Sequence, residues 1–358
     1  MSQPQTQPDL QAQPGAVSPM PPERLLDLQD VSVSFRTREG VVNAVNGVSF
    51  HVNRGEVLGI VGESGSGKSM TVRAVMRLLA RNAEEGPDGV IRFNPDGDRV
   101  HTLSGQARDS GLMRQMRGGR IGMIFQEPMT ALSPVHSIGK QIMRTVMLHR
   151  RCSKREARTR AVELLGKVQL PDPERMVDRY PHQLSGGMRQ RAMIALALAC
   201  DPALLIADEP TTALDVTTEA QILDLLKSLQ SELGMAIVFI THNFGVVADI
   251  ADRVAVMYLG RIVETGTVDD IFYAPKHPYT AALLRSIPRL GQARQHRLRT
   301  IRGSVPDPYH VPKGCPFHTR CDHARHEPCA TSLPPNKSFG AEQQALCHFA
   351  GETGEAET

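Results

Sequence analysis

Residues 62–69 read GESGSGKS, a complete G-x-x-x-x-G-K-S pattern. An apolar run, EVLGIV from Glu56, precedes it, and a stretch of helical character follows from Lys68 to about Ala80. A buried strand feeding a glycine-rich turn that opens a helix is the setting in which this spacing binds phosphate. Across Gly62, Glu63, Ser64, Gly65, Ser66 and Gly67 the glycines let successive backbone N–H groups face one concavity, and the helix N-terminus adds partial positive charge. Lys68 can then reach β and γ phosphates, and the Ser69 hydroxyl can ligate Mg²⁺.

A phosphate loop of this kind needs an acid at the end of another buried strand. ALLIAD supplies Asp208, suited to a Mg²⁺-linked role, and Glu209 follows it, able to orient or deprotonate an attacking water. LSGGMRQR, residues 184–191, forms a second phosphate-facing element: Ser185 stands as an N-cap, and Gly186 and Gly187 permit close backbone approach to a helix start. A third apolar run, AIVFIT, leads to His242.

Around these motifs the chain alternates strands and helices. Val31, Val33 and Phe35, then Val45, Val48, Phe50 and Val52, read as strands. RIGMIFQ adds another, Ile138 to Lys167 repeats at helical spacing, and Ile222, Leu225, Leu226, Leu229 and Leu233 mark a further helix. The stretch from Glu84 to Gly119, rich in Gly and Asp, reads as irregular. The pattern predicts an α/β fold with a mixed, mainly parallel core sheet.

Composition narrows the class. With 358 residues, 41% of them hydrophobic, the chain can bury a sizeable core, and a net charge of +3 gives no global pull toward nucleic acid. The longest apolar stretch, from Met193, is cut by Asp201 and Pro202, so no membrane span is expected. The N-terminus lacks the features of a secretory signal and reads as a Gln/Pro-rich disordered leader. After Ile287 prolines multiply and the arginines from Arg285 to Arg302 occur without an intervening acid, which predicts a solvated surface or contact with lipid headgroups or an acidic partner.

Together GESGSGKS, Gln126, LSGGMRQR, LLIADEP, ALD at 213–215 and His242 resemble the ATP-binding subunits of ABC transporters, in that family's order. HQLSGGMRQRAMIALALACDPALLIADEPTTALDVT and HPYTAALLRSIP extend the resemblance to the ATPases of oligopeptide and dipeptide importers, over nearly all of Leu25 to Cys347. The resemblance implies a P-loop ABC cassette over 24–287, with a helical subdomain at about 127–184, and an irregular importer-type C-terminal domain at 288–350; the leader at 1–23 is extra to the family's pattern, and 351–358 read as a disordered tail. It implies two cassettes closing head to tail, so that ATP on Lys68 of one chain meets Ser185, Gly186 and Gly187 of the other. By the same likeness Glu209 is the general base, His242 positions the γ-phosphate and water, Gln126 joins Mg²⁺ sensing to a membrane subunit, and Asp215 lies on the loop crossing the dimer interface. Phe35 is the candidate for stacking on adenine, with a core aromatic as the alternative.

The implied protein is an ATPase that energises import of peptides or a related small solute. Its implied partners are two membrane permease subunits, a second identical or homologous ATP-binding subunit and an external solute-binding protein acting through the permease. It would work peripherally, at the cytoplasmic face of the plasma membrane. The alternative is a soluble ABC-type ATPase acting on nucleic acid. Such proteins tend to carry long insertions or two cassettes, whereas about 115 residues here separate the phosphate loop from LSGG, in one cassette.

Four of the six cysteines, Cys315, Cys321, Cys329 and Cys347, crowd the C-terminal region. In a reducing compartment clustered thiols hold metal more often than disulfides, leaving zinc, an iron–sulfur cluster or unpaired thiols open, with His318, His323, His326 and His348 as substitute ligands. The family resemblance tips this toward a [4Fe–4S] cluster. A purely structural role is expected of it, because no ATP-site residue lies nearby in sequence.

Overall fold

The computed structural model describes residues 20–127, 131–287 and 300–352. The expected leader as far as residue 19, the Arg289–Arg299 part of the basic run, the start of the C-terminal domain at 288–299, residues 128–130 of the helical subdomain and tail residues 353–358 lie outside these. Thirteen strands are present among the described residues: β1 (Arg24–Arg36), β2 (Val41–Asn53), β3 (Val57–Val61), β4 (Ala83–Glu85), β5 (Val90–Phe93), β6 (His101–Thr102), β7 (Ile121–Ile124), β8 (Leu204–Asp208), β9 (Ala236–Thr241), β10 (Arg253–Tyr258), β11 (Arg261–Thr267), β12 (Asn336–Phe339) and β13 (Gln343–Leu346).

They form two sheets. One is antiparallel, in the order β2-β1-β5-β6 with β4 also on β1. The other runs β12-β13-β11-β10-β3-β9-β8-β7, its five strands from β10 to β7 parallel. All residues of β3, β8 and β9 are buried. Because side chains alternate along a strand, one apolar run feeds two cores. Leu205, Ala207, Ile237 and Phe239 enter the cluster shared with the helices Ile138–His149, Lys154–Lys167 and Gly186–Ala197. Leu204, Ile206, Val238 and Ile240 enter the one shared with β1 and β2.

Local chemistry sets the helix limits. The helix expected to reach Ala80 is Lys68–Val75, and Arg77 behind it takes a left-handed φ of 53° that ends the turn. The helical stretch from Ile138 divides in two, and Ser153 restarts it with a capping box to Glu156. The span 84–119 is more regular than its composition predicted, since it holds β5, β6 and the helix Gly111–Met116. Four-residue β5 is too short to display a period, yet it buries Ile91 and Phe93 and pairs with β1.

The C-terminal region departs from expectation in the same direction. Rather than ending in irregular chain, it adds β12 and β13 to the main sheet, with Glu264 of β11 paired to Ala345. Glu264 is 1% exposed, and its carboxylate accepts hydrogen bonds from the backbone N–H groups of Lys276 (2.6 Å) and His277 (3.0 Å) and from Gln343 Nε2 (3.1 Å). A buried acid is tolerated there because three donors meet it. Among the described residues no helix is long and apolar enough to cross a membrane.

Candidate functional site

The parallel strands β3, β7, β8 and β9 all end at the same edge, where open α/β sheets bind ligands. Residues 62–69 leave β3 there, Gln126 follows β7, Asp208 and Glu209 close β8, and His242 follows β9. The turn depends on its glycines. A Cβ on Gly62 (φ 153°) would lie 2.1 Å from the Met257 carbonyl oxygen, and one on Gly67 (φ 102°) would lie 2.2 Å from that of Ala44. Lys68 is 5% exposed, and its Nζ donates to the carbonyls of Gly62 (2.8 Å) and Glu63 (3.0 Å). Burial lowers its pKa, opposed by Glu209, Asp208 and Glu63.

Ser69 Oγ donates to Asp208 Oδ1 at 2.7 Å. Asp208 is fully buried, its other oxygen, Oδ2, has no hydrogen-bond partner, and burial raises its pKa. An orphaned carboxylate oxygen beside a serine hydroxyl, under a phosphate loop, fits a Mg²⁺-linked acid. Glu209 takes a left-handed φ of 47°. Gln126 Nε2 and Thr212 Oγ1 each donate to its Oε2 at 2.9 Å, and His242 Nδ1 lies 3.5 Å from its Oε1. Gln126, Glu209 and His242, separated by 83 and 33 residues in the chain, thus meet through one carboxylate.

The other expected site residues lie apart from this cluster. Ser185 caps its helix by accepting from Met188 N at 3.3 Å, and among the described residues no hydrogen bond joins Ser185, Gly186 or Gly187 to the phosphate loop. The Asp215 carboxylate caps the helix Val216–Leu233, accepting from Thr218 N (3.0 Å) and Thr218 Oγ1 (2.7 Å). Phe35 is half-buried at the end of β1 and packs partly on the core.

Cys315, Cys321, Cys329 and Cys347 are all free and line one cavity together with His277, His318, His323 and His348. Burial first, and the neighbouring thiols after it, push Cys315 up to about 12 and Cys321 to about 11. Among the described residues no group of three or more His, Cys, Asp or Glu is arranged to hold a metal ion.

Sequence reasoning missed the residues that grip the phosphate loop from outside it. Tyr279 Oη accepts from Glu63 N at 3.0 Å, and Arg320 forms a two-pronged ion pair with the Glu63 carboxylate. Those residues are separated from Glu63 by 216 and 257 positions. The one signal available was the acid itself, since a carboxylate inside a phosphate loop calls for a cation.

Comparison with known proteins shows the family. The family model for "ABC transporter" matches residues 45–212, and that for "Oligopeptide/dipeptide transporter, C-terminal region" matches residues 263–329. The oligopeptide transport ATP-binding protein OppD of Bacillus subtilis is 52% identical over 301 residues, covering 84% of this chain and 82% of that one. The protein of the same name from Salmonella typhimurium is 47% identical over 330 residues, covering 92% and 95%. Among solved structures, a dimeric post-hydrolysis state of an ATP-binding cassette bound to ADP and Pi superposes with a TM-score of 0.59 at 29% identity. It is matched over 68% of this chain and 99% of its own.

Proposed function

The chain belongs to the oligopeptide/dipeptide importer family of ABC transporter ATP-binding subunits and is an ATPase of that kind; from that premise we propose that it energises peptide import, with the β3, β7, β8 and β9 strand ends as its catalytic edge. The observation that carries the catalytic reading is the Glu209 carboxylate, held between Gln126, Thr212 and His242 beside the Ser69–Asp208 pair.

In this reading Gly62 to Ser69 cradle the triphosphate and Lys68 turns from the loop carbonyls to the β and γ phosphates. Ser69, Asp208 and Gln126 would hold Mg²⁺, which neutralises developing phosphate charge. Glu209 accepts the proton of the attacking water, and His242 orients the water and the γ-phosphate. Phe35 stacks on adenine. Ser185, Gly186 and Gly187 complete the ATP site of a second cassette, identical or homologous, and Asp215 lies at that junction. The dimeric cassette among the solved structures supports this pairing. Two permease subunits and an external solute-binding protein complete the assembly, with this chain peripheral at the cytoplasmic membrane face. The proposed division is a cassette over 24–287 and a C-terminal domain over 288–350.

Replacing Glu209 by Gln keeps shape and hydrogen bonding but removes the basic oxygen. Hydrolysis by the assembled transporter should fall about 10²- to 10⁴-fold while ATP binding persists and an ATP-bound dimer accumulates. Near-normal turnover would remove Glu209 from the role of base.

We further propose that Cys315, Cys321, Cys329 and Cys347 hold a [4Fe–4S] cluster, with zinc as the alternative; the shared cavity and the four-thiol donor set support this. Such a centre would brace the short elements around it. Protein purified without oxygen should carry about four iron atoms per chain. One zinc would change the metal, and metal-free protein would end the proposal.

A further inference from the structure

The phosphate loop carries a carboxylate of its own. Glu63 is held at three points: its backbone N–H donates to Tyr279 Oη (3.0 Å), its carbonyl accepts from Lys68 Nζ (3.0 Å), and its carboxylate accepts from Arg320 Nη1 at 2.6 Å and Nη2 at 3.0 Å. The last contact is the two-pronged geometry that gives an arginine pair both strength and orientation. Arg320 has little freedom to do anything else. It is 5% exposed, its Nε donates to the Arg302 carbonyl (3.2 Å), and Nη1 also meets Tyr258 Oη (3.4 Å). Beneath it Tyr258, Tyr279 and Phe317 pack as an aromatic cluster with centroids 4.6 to 5.3 Å apart. Arg320 stands immediately before Cys321, in the C-terminal region. A second strand of contact runs from the same region to the adenine side: Tyr309 Oη lies 3.2 Å from Thr37 Oγ1, in the turn after Phe35.

We infer that Arg320 is a positioning residue of the ATP site, acting through Glu63 so that the C-terminal region sets the shape and charge of the phosphate loop. Two effects follow from the pair. Pinning Glu63 at both carboxylate oxygens fixes the loop whose N–H groups must converge on phosphate. Neutralising Glu63 keeps an uncompensated negative charge away from a polyanion; its field already reaches Lys68, whose ammonium it favours. The inference rests on the ATP-site reading above, and it ties the C-terminal region to nucleotide although no ATP-site residue lies near it in sequence.

The test measures ATP affinity of the full chain, in magnesium and without it. Arg320→Gln should weaken ATP binding about tenfold or more, because one charge-assisted pair is lost and Glu63 is left bare. Arg320→Lys, which keeps charge but not the fork, should fall between. Adding Glu63→Gln to Arg320→Gln should recover the part of the loss that comes from the bare charge, about threefold or more, a recovery that repacking alone would not give. In the assembled transporter the loss should appear in KM, with kcat within about threefold, since the groups around Glu209 are untouched. Unchanged affinity in Arg320→Gln overturns the inference, as does a loss that Glu63→Gln fails to relieve.

If Arg320→Gln does not fold, the unaltered chain still decides. Linkage is reciprocal, so saturating magnesium-ATP should slow amide hydrogen exchange over residues 315–321; no change there overturns the inference. Lys68→Ala separates this from the reading beneath it. Wild-type ATP affinity in Lys68→Ala would defeat the phosphate-loop assignment itself, whereas loss in Lys68→Ala with none in Arg320→Gln defeats only the role of Arg320.

Discussion

At the phosphate-facing edge of the sheet, position is set by backbone: β3, β7, β8 and β9 run in parallel, end side by side, and deliver Lys68, Gln126, Asp208, Glu209 and His242 within reach of one another. The C-terminal region has short strands and single-turn helices, and its position is set by side chains: Glu264 under β13, Arg320 on Glu63, Phe317 between two tyrosines. A backbone-built site is sensitive to changes that alter φ or add a Cβ. A side-chain-built seam is sensitive to the loss of one buried polar partner.

The largest effect should come from testing the backbone side. Gly62→Ala places a methyl 2.1 Å from the Met257 carbonyl oxygen at a φ that alanine resists, so ATP affinity should drop about a hundredfold or more. Gly65→Ala meets nothing within 4 Å and carries only the strain of φ 78°, about 1 kcal/mol. Isothermal titration with ATP compares them, and equal losses would show that mere glycine content, rather than close approach, governs the loop.

Next in size is the seam. Glu264→Ala leaves Lys276 N, His277 N and Gln343 Nε2 without their acceptor, so unfolding in denaturant should cost about 3 kcal/mol less. An unchanged midpoint would mean that β13 is held by its ladder alone, which would break the contrast.

The smallest effect concerns pH. Burial, with Arg253 and Arg24 behind it, lowers the His51 pKa to about 4; Arg253 lies 3.1 Å from its Nε2 and within ion-pair distance of Glu342 beside β13. The unfolded chain binds the proton first, near pH 6.5, so this contribution is intact above that value and is lost as pH falls from about 6.5 to about 4. His51→Gln should flatten that part of the melting-temperature profile, and an identical slope in both proteins would remove His51 from it.

The same contrast explains what could be read without coordinates. EVLGIV with the GESGSGKS turn behind it, ALLIAD and AIVFIT are short apolar runs with punctuation, so local pattern pointed to Lys68, Asp208 and Glu209, whereas His242, just past AIVFIT, was singled out only by its place in the motif order that resembles the family. β5 was hidden because VIRF is too short for a period among glycines and aspartates. NKSF and QQAL were hidden because a strand stitched to an existing edge needs little apolar surface of its own, and only Gln343 and Ala345 of β13 are buried. The Arg320–Glu63 pair spans 257 positions, and no spacing rule reaches that far. Asp215 shows a third case: ALD marks a junction by resemblance, while D-x-x-T before a helix equally marks a cap, and the carboxylate is used as the cap.

The attachment of β13 to β11 also sets a clock on synthesis. β11 is complete at Thr267, but the strand that covers its outer edge ends at Leu346, about 80 residues further along. At roughly 5–20 residues per second a ribosome needs about 4–16 s to deliver it. Throughout that interval the nascent cassette presents a bare strand of seven residues, with three of them buried in the finished protein, to any neighbouring chain on the same message. Arg261 and Glu264 on that strand place charge along the open edge, the common guard against edge-to-edge pairing, and Glu264 passes from sentinel to buried anchor when Gln343 arrives.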